Sequence, residues 1–139
     1  MLTRRRLRLA AYAVITDAQG RLLLAREPGS PAAGPWMLPG GGVEYAEHPE
    51  DAVVREVREE TGLQAEVGPL HVILSDLSTA GRRRRRLHNV RLVYRARLAA
   101  HHQSGLLPTA CWCHEAEWRS LRLAPFTARA LQACRADQD

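Results

Sequence analysis

Apolar and polar positions follow two different periods along the chain. Residues 8–16 alternate as a strand does, and residues 21–26, RLLLAR, are continuously apolar inside, as a buried strand is. Between them Asp17-Ala18-Gln19-Gly20 reads as a turn carrying Gly20. Residues 27–35, EPGSPAAGP, are a loop by composition. WMLPGGGVE follows, and its three consecutive glycines exclude regular structure there. The period becomes helical over 48–61: Pro49 suits a first helical position, acids crowd the first turn, and Gly62 stands where a helix ends. Residues 64–75 and 87–98 read as two more strands, separated by DLSTAGRRRRR, an excursion too polar and charged to be core. Residues 99–110 read as a loop, a strand near 113–119 follows, and a last helix runs from about Phe126 to Arg135 after Pro125. Strands and helices interleave without repeat or linker, which predicts one α/β or α+β domain over residues 1–139.

Composition narrows the class. The apolar fraction is 45%, and no apolar run approaches the ~20 residues of a membrane helix. The basic and then apolar start, MLTRRRLRLAAYAVITD, reads as a first strand with a basic lead-in, because its apolar part alternates and runs into a turn. The cysteines Cys111, Cys113 and Cys134 are odd in number, which points to free thiols in a reducing cytoplasm. The run Cys-Trp-Cys-His at 111–114 lacks a second Cys/His cluster to complete a zinc site and reads as ordinary strand residues. All 20 basic residues are arginine, the net charge is +5, and Arg82–Arg86 alone carry that many charges. Such a balance permits polyanionic partners without requiring one.

The helix at 48–61 carries the chemistry. At about 100° per residue, Glu60 lies at about +40° and Glu59 at about −60° from Glu56, while Val53, Val54 and Val57 fall at about +60° to +160°. One sector is therefore acidic and another apolar. Like charges so spaced cost roughly 0.2–0.5 kcal/mol per pair, and these lie toward the dipole's negative end. A solvated acidic face partly neutralised by Arg55 and Arg58 is the bland alternative. A cation resolves the repulsion, and a site of carboxylates without His or Cys suits Mg²⁺ or Mn²⁺ shared with a substrate phosphate. The preceding glycines allow backbone to approach such a ligand closely.

The stretch GGVEYAEHPEDAVVREVREETGL, residues 41–63, resembles the signature of the Nudix hydrolases. Gly41, Glu47, Arg55, Glu56, Val57, Glu59, Glu60, Gly62 and Leu63 fill every fixed position; Ala46 stands where relatives often carry glycine. The resemblance implies a single-domain α/β/α sandwich around a mixed sheet. It implies a hydrolase that cuts the phosphoanhydride of a nucleoside diphosphate linked to another group. It further implies Mg²⁺ or Mn²⁺ on Glu56, Glu59, Glu60 and the Gly40 carbonyl, with Glu47 supporting the loop and the metal cluster. Glu56 or Glu60 would orient or deprotonate the attacking water, and Arg55 would hold the glutamates in place.

Around this set, Arg26, Gly41, Arg84 and His88 are the expected substrate contacts, with Asn89 beside His88 as a further residue able to line the pocket; Arg26 and the arginine run are weighed against a plain surface role and His88 against a structural one. Glu115 and Glu117 are the nearest later acids for an extra ligand or base, with a salt-bridged surface acid as the favoured reading. Trp36 is expected to pack, and Trp112 is left between packing and base stacking. The competing readings are a non-catalytic nucleotide sensor, disfavoured by the complete signature, and an RNA 5′-end pyrophosphohydrolase, suggested by the arginine run. The expected partner is a small nucleoside diphosphate derivative such as ADP-ribose, a nucleotide sugar, a nucleoside triphosphate or a dinucleoside polyphosphate, in the cytoplasm, without a membrane. Oligomeric state stays open, a homodimer included.

Overall fold

The computed structural model describes residues 5–27, 34–80, 82, 85–100 and 105–136. They form β1 (Arg5–Ile15), β2 (Leu22–Ala25), β3 (Gly40–Gly42), α1 (Pro49–Thr61), β4 (Ala65–Ala80), β5 (Arg85–Leu98), β6 (Ala110–Cys113), α2 (Glu115–Trp118) and α3 (Pro125–Ala136). A mixed sheet has the order β3-β1-β5-β4, with β1 and β5 parallel and the other pairs antiparallel. β2 and β6 form a second, antiparallel pair. The result is the α/β/α sandwich that the resemblance implied.

The two sheet faces bury different sets. Ala11, Ala13 and Ile15 of β1 join Ala52, Val53 and Val57 of α1. Ala10 and Tyr12 join Leu74, Val93 and α3 residues Phe126, Ala130 and Leu131. β1 and β5 lie at the middle of the sheet, so both faces of their central residues are covered; small alanines let helices approach from both sides. β2 divides likewise, Leu23 to the α1 side and Leu22 and Leu24 to the α3 side.

Four expectations change. The polar excursion is not a loop: β4 continues to Ala80 and β5 starts at Arg85, with Thr79 opposite Arg86 and Ala80 opposite Arg85. Ladder hydrogen bonds are made by backbone, so a hairpin can extend past the core whatever its side chains. Arg83 and Arg84 lie outside the described residues. The three glycines are regular structure after all, paired to β1 with Tyr12 opposite Gly40 and Ala10 opposite Gly42. The strand expected near 113–119 is β6 up to Cys113 followed by the single helical turn α2. There the Glu117 carboxylate accepts from the His114 N–H at 2.9 Å, so an acid three residues into the turn caps it. Finally, Val54 is only half-buried; Ala52 and Thr61 complete the packed face of α1 instead.

Candidate active site

α1 is held at both ends. The His48 ring accepts from the Glu50 N–H at 3.1 Å at its start. At its end Gly62 takes a left-handed φ of 80° and donates to the Arg58 carbonyl. Thr61, fully buried, donates its hydroxyl to the Val57 carbonyl at 2.6 Å and accepts from the Leu63 N–H. With Val53 and Val57 locked into the core, Glu56 and Glu60 emerge at the rim of the packed face, toward β3. Glu59 points outward, its side chain 59% exposed. The acidic stripe read from the sequence thus divides into an inner pair and an outer member.

The inner pair meets the glycine strand. Glu60 Oε2 accepts from the Gly40 N–H at 3.2 Å. Burial and a hydrogen bond with the Glu56 carboxyl push the Glu60 carboxyl up to about 9. Glu27, just past β2, adds its field to the same group. The absence of side chains on β3 makes room for this: a Cβ on Gly40 would stand 2.2 Å from the Ala11 carbonyl oxygen, and one on Gly41 would stand 2.8 Å from Glu56 Cδ.

Arg55 braces the arrangement from the other side. Its Nε and Nη2 donate to the two carboxylate oxygens of Glu47, both at 2.9 Å. Nη2 also donates to the Gly42 carbonyl at 3.0 Å, and Nη1 donates to Glu56 Oε1 at 2.9 Å. Glu59 and Glu44 stand 3.5 and 3.8 Å from Nη1. The hydrogen bonds from Arg55 and from the Glu44 N–H hold the Glu47 carboxyl down at about 2, and Glu47 in turn helps keep Arg55 charged. Both oxygens of Glu47 are committed to Arg55, so Glu47 sits as a brace between loop and helix. Ala46, beside it, has a φ of 61°, the one positive value among the described non-glycine residues. That explains why glycine suits this position.

The donor chemistry fits a divalent cation. Two carboxyls face each other in a half-buried site, the Glu56 carboxyl helping to raise that of Glu60, and a cation between them would satisfy both. Among the described residues no three acidic, imidazole or thiol groups converge as a finished ligand set. The geometry gives the reason: Glu60 is turned to the Gly40 N–H and Glu59 away from the pair.

Arg26 stands close by. Its N–H donates to the Thr109 carbonyl at 2.8 Å, and the Thr109 hydroxyl donates to the Glu60 carbonyl at 2.8 Å. Its guanidinium lies 4.0 Å over the Trp36 ring, and its buried Nε has no hydrogen-bond partner among the described atoms. Trp36 packs against the α3-side core and Trp112 against the α1-side core.

Other expected residues are elsewhere. Glu115 pairs with Arg119 and Arg135, and Glu117 caps α2. Arg84 lies outside the described residues. His88 stands opposite Leu7 and Leu77, five residues along β1 from Tyr12 and so roughly 16 Å from the Gly40 register. There it lines a groove of about 810 Å³ with Arg5, Arg6 and Arg86.

Two features escaped the sequence reading. Glu27 is one; an acid directly after Arg26 at a strand end was its only signal. The other is a polar wall on the α3 face beside the glycine strand, of which the sequence reading names only Asn89, as a residue able to line the pocket. Arg91 donates to Asp76 at 2.7 Å and to the Tyr12 hydroxyl at 2.6 Å, and its guanidinium lies 4.3 Å over Phe126. Asn89, 1% exposed, donates to Asp76 and Ser78 at 2.8 Å. The Arg91 hydrogen bond holds the Asp76 carboxyl below its usual range. No local pattern announces this wall, because its members come from β1, β4, β5 and α3.

Comparison with known proteins gives the family and the fold. The profile of the NUDIX domain matches residues 6–134. Over 127 residues the chain is 35% identical to the CTP pyrophosphohydrolase of Escherichia coli (strain K12), covering 90% of each. It is 50% identical over 50 residues to an RNA pyrophosphohydrolase of Saccharophagus degradans, spanning 36% of this chain and 28% of that one. Among solved structures, a MutT NUDIX hydrolase from Burkholderia pseudomallei superposes with a TM-score of 0.72 at 30% identity, covering 92% of this chain and 98% of the other. The MutT protein from Methanosarcina mazei, at a TM-score of 0.71 and 23% identity over the whole of both chains, shares the fold.

Proposed function

The chain belongs to the NUDIX hydrolase family, and from that membership we propose a divalent-metal-dependent pyrophosphohydrolase of small nucleotides that cuts the phosphoanhydride of a nucleoside triphosphate. The observation that carries the reading is the facing pair Glu56 and Glu60 at the glycine strand, with Arg55 holding Glu56 in place. A protein that only sensed a nucleotide would not need this half-buried pair of facing carboxyls.

In this reading Glu56, Glu60 and the Gly40 carbonyl would hold Mg²⁺ or Mn²⁺, and Glu59, which points outward here, would turn in to join them. When bound there, such an ion would offset charge developing on the phosphates and lower the pKa of a coordinated water. Glu56 or Glu60 would orient the attacking water and take its proton on a carboxylate oxygen. Glu47 and Arg55 fix the Glu56 carboxylate and the Gly42 carbonyl, so the inner acids stay aligned. Arg26, its guanidinium laid on Trp36, would bind a phosphate oxygen. Gly41 lets a phosphate approach the backbone.

A nucleoside triphosphate is favoured over the other nucleoside diphosphate derivatives by the relative named CTP pyrophosphohydrolase, whose match covers 90% of both chains. The RNA 5′-end reading is supported by a shorter match and by the basic end of the β4–β5 hairpin. The test is a panel of CTP, ADP-ribose and a 5′-triphosphorylated RNA with Mg²⁺ or Mn²⁺, scored by released pyrophosphate, phosphate and monophosphate. The expected result is CMP and pyrophosphate from CTP, activity lost on chelation, and slower turnover of the RNA. Preference for the RNA would replace the small-nucleotide reading. No turnover of any of the three with either ion would sink the proposal.

A further inference from the structure

Cys111 and Cys113 are two apart on β6, and both sulfurs turn to the core face that holds Leu22 and Leu24. Their Sγ atoms lie 2.9 Å apart, with no disulfide between them. Cys113 is buried and Cys111 is partly open to solvent. Among the described residues no further ligands gather around them as a metal centre, so the chemistry available to the pair is that of two thiols in contact.

Two residues of strand place the Cα atoms roughly 6.6 Å apart, near the upper end of the ~4.4–6.8 Å that a disulfide spans. The sulfurs need to approach by about 0.9 Å to reach bonding distance. β6 pairs on one side with β2 in a two-stranded sheet, and an edge strand of four residues can pucker by that amount. We propose that Cys111 and Cys113 form a reversible disulfide, made by exchange with a low-molecular-weight disulfide, and that its formation alters the active site.

The step balances as two exchanges. The Cys111 sulfur attacks the small disulfide, forms a mixed disulfide and displaces one small thiol. The Cys113 sulfur then attacks Cys111 Sγ and displaces the second. Two electrons pass from the cysteine pair to the small disulfide, and the two protons leave on the displaced thiols. A bridge near its geometric limit is strained and therefore easily reduced, which suits a switch better than a structural staple. Burial and the neighbouring Cys113 push the Cys111 thiol up to about 12, so at neutral pH Cys111 rests as a thiol and the first exchange is slow.

The route to the site is short. Thr109, just before β6, accepts from the Arg26 N–H and donates to the Glu60 carbonyl. Cys111 stands opposite Leu24, two residues before Arg26, and lies within the field of the Arg26 guanidinium. Shortening β6 between 111 and 113 pulls on both anchors, and the effect on turnover rests on the hydrolase reading above.

The experiment uses the folded chain with Cys134→Ser, which removes the third thiol. It is equilibrated across ratios of oxidised to reduced glutathione, then assayed by intact mass, peptide mapping and CTP hydrolysis. The expected result is loss of two hydrogen atoms with a 111–113 link, full reversal by reduced glutathione, and kcat/KM lower by about tenfold in the oxidised form. Adding Cys111→Ser should leave the basal rate unchanged and abolish the response. Only glutathione adducts, or thiols that react solely after unfolding, would overturn the pair. A mapped disulfide with unchanged kcat/KM would overturn the coupling. If the reduced chain hydrolyses nothing, the hydrolase reading fails while the mass result still decides the disulfide.

Discussion

Gly41 lies against the Glu56 carboxylate so closely that a Cβ in its place would stand 2.8 Å from Glu56 Cδ. One residue earlier, a Cβ on Gly40 would first meet β1: the Ala11 carbonyl oxygen at 2.2 Å and Tyr12 Cα at 2.6 Å. Neighbouring glycines therefore serve different ends, one the chemistry and one the fold.

Gly41→Ala is expected to fold, because the end of a glutamate side chain can swing aside. Its melting temperature should stay within about 4 °C of the parent, a change near 1 kcal/mol or less, while turnover falls on the order of 10²-fold as Glu56 leaves its position. Gly40→Ala also has to adopt a φ of 151° and should cost on the order of 3 kcal/mol of stability. Thermal melts and steady-state kinetics on both variants decide the matter; equal destabilisation would refute the division of roles.

Glu60 makes metal-free stability depend on pH in the direction opposite to the usual carboxylate. Its carboxyl is raised to about 9 from an ordinary 4.5, so between those values the folded chain holds a proton that the unfolded chain releases. Stability in chelator is expected to be highest below the lower value and to fall as pH rises toward the upper one. Glu60→Gln should flatten that slope, melt higher than the parent at pH 8 without metal, and lose turnover by on the order of 10²-fold with it. Parallel melting curves for parent and variant across this pH range would count against the buried pair.

Glu47 has the opposite sign. Held at about 2 by Arg55, against an ordinary 4.5, it lends stability above the upper value that disappears as pH falls to the lower one. Glu47→Gln should therefore be less stable than the parent at neutral pH and match it near pH 2. Arg55→Lys keeps the charge but loses the fork that grips both Glu47 oxygens. It should lower kcat by about tenfold or more, with a smaller effect on KM. Urea unfolding at several pH values and kinetics on both variants supply the check.

The sequence reads the arginine run as part of a polar excursion between strands, whereas its described residues Arg85 and Arg86 stand on β5. Arg86 is opposite Arg5, seven residues along β1 from Tyr12 and the Gly40 register, or about 23 Å away. With a screening length of roughly 8 Å at physiological salt, Arg85→Ser with Arg86→Ser should leave KM for CTP unchanged within about twofold. Binding of a 5′-triphosphorylated RNA would be the sensitive readout. A large, salt-dependent rise in KM for CTP would show that the basic end reaches the site.

The sequence by itself determined the parts of this protein that are local. The helix at 49–61, its caps, the spacing of Glu56, Glu59 and Glu60, and the glycines before it are written in residues at most a few turns apart, and helical geometry turns such spacing into position. Tertiary structure decided which of those acids face inward. It did so by burying Val53, Val57, Ala52 and Thr61 and leaving Val54 at the edge. It also brought Glu27 into the field of Glu60, set Thr109 on the helix end, and assembled the Arg91, Asp76 and Tyr12 wall. These arrangements depend on pairing β1 with β5, about eighty residues later, and β2 with β6. Such registers are set by how two whole faces pack against their helices, a condition on the entire core that no short stretch of chain contains.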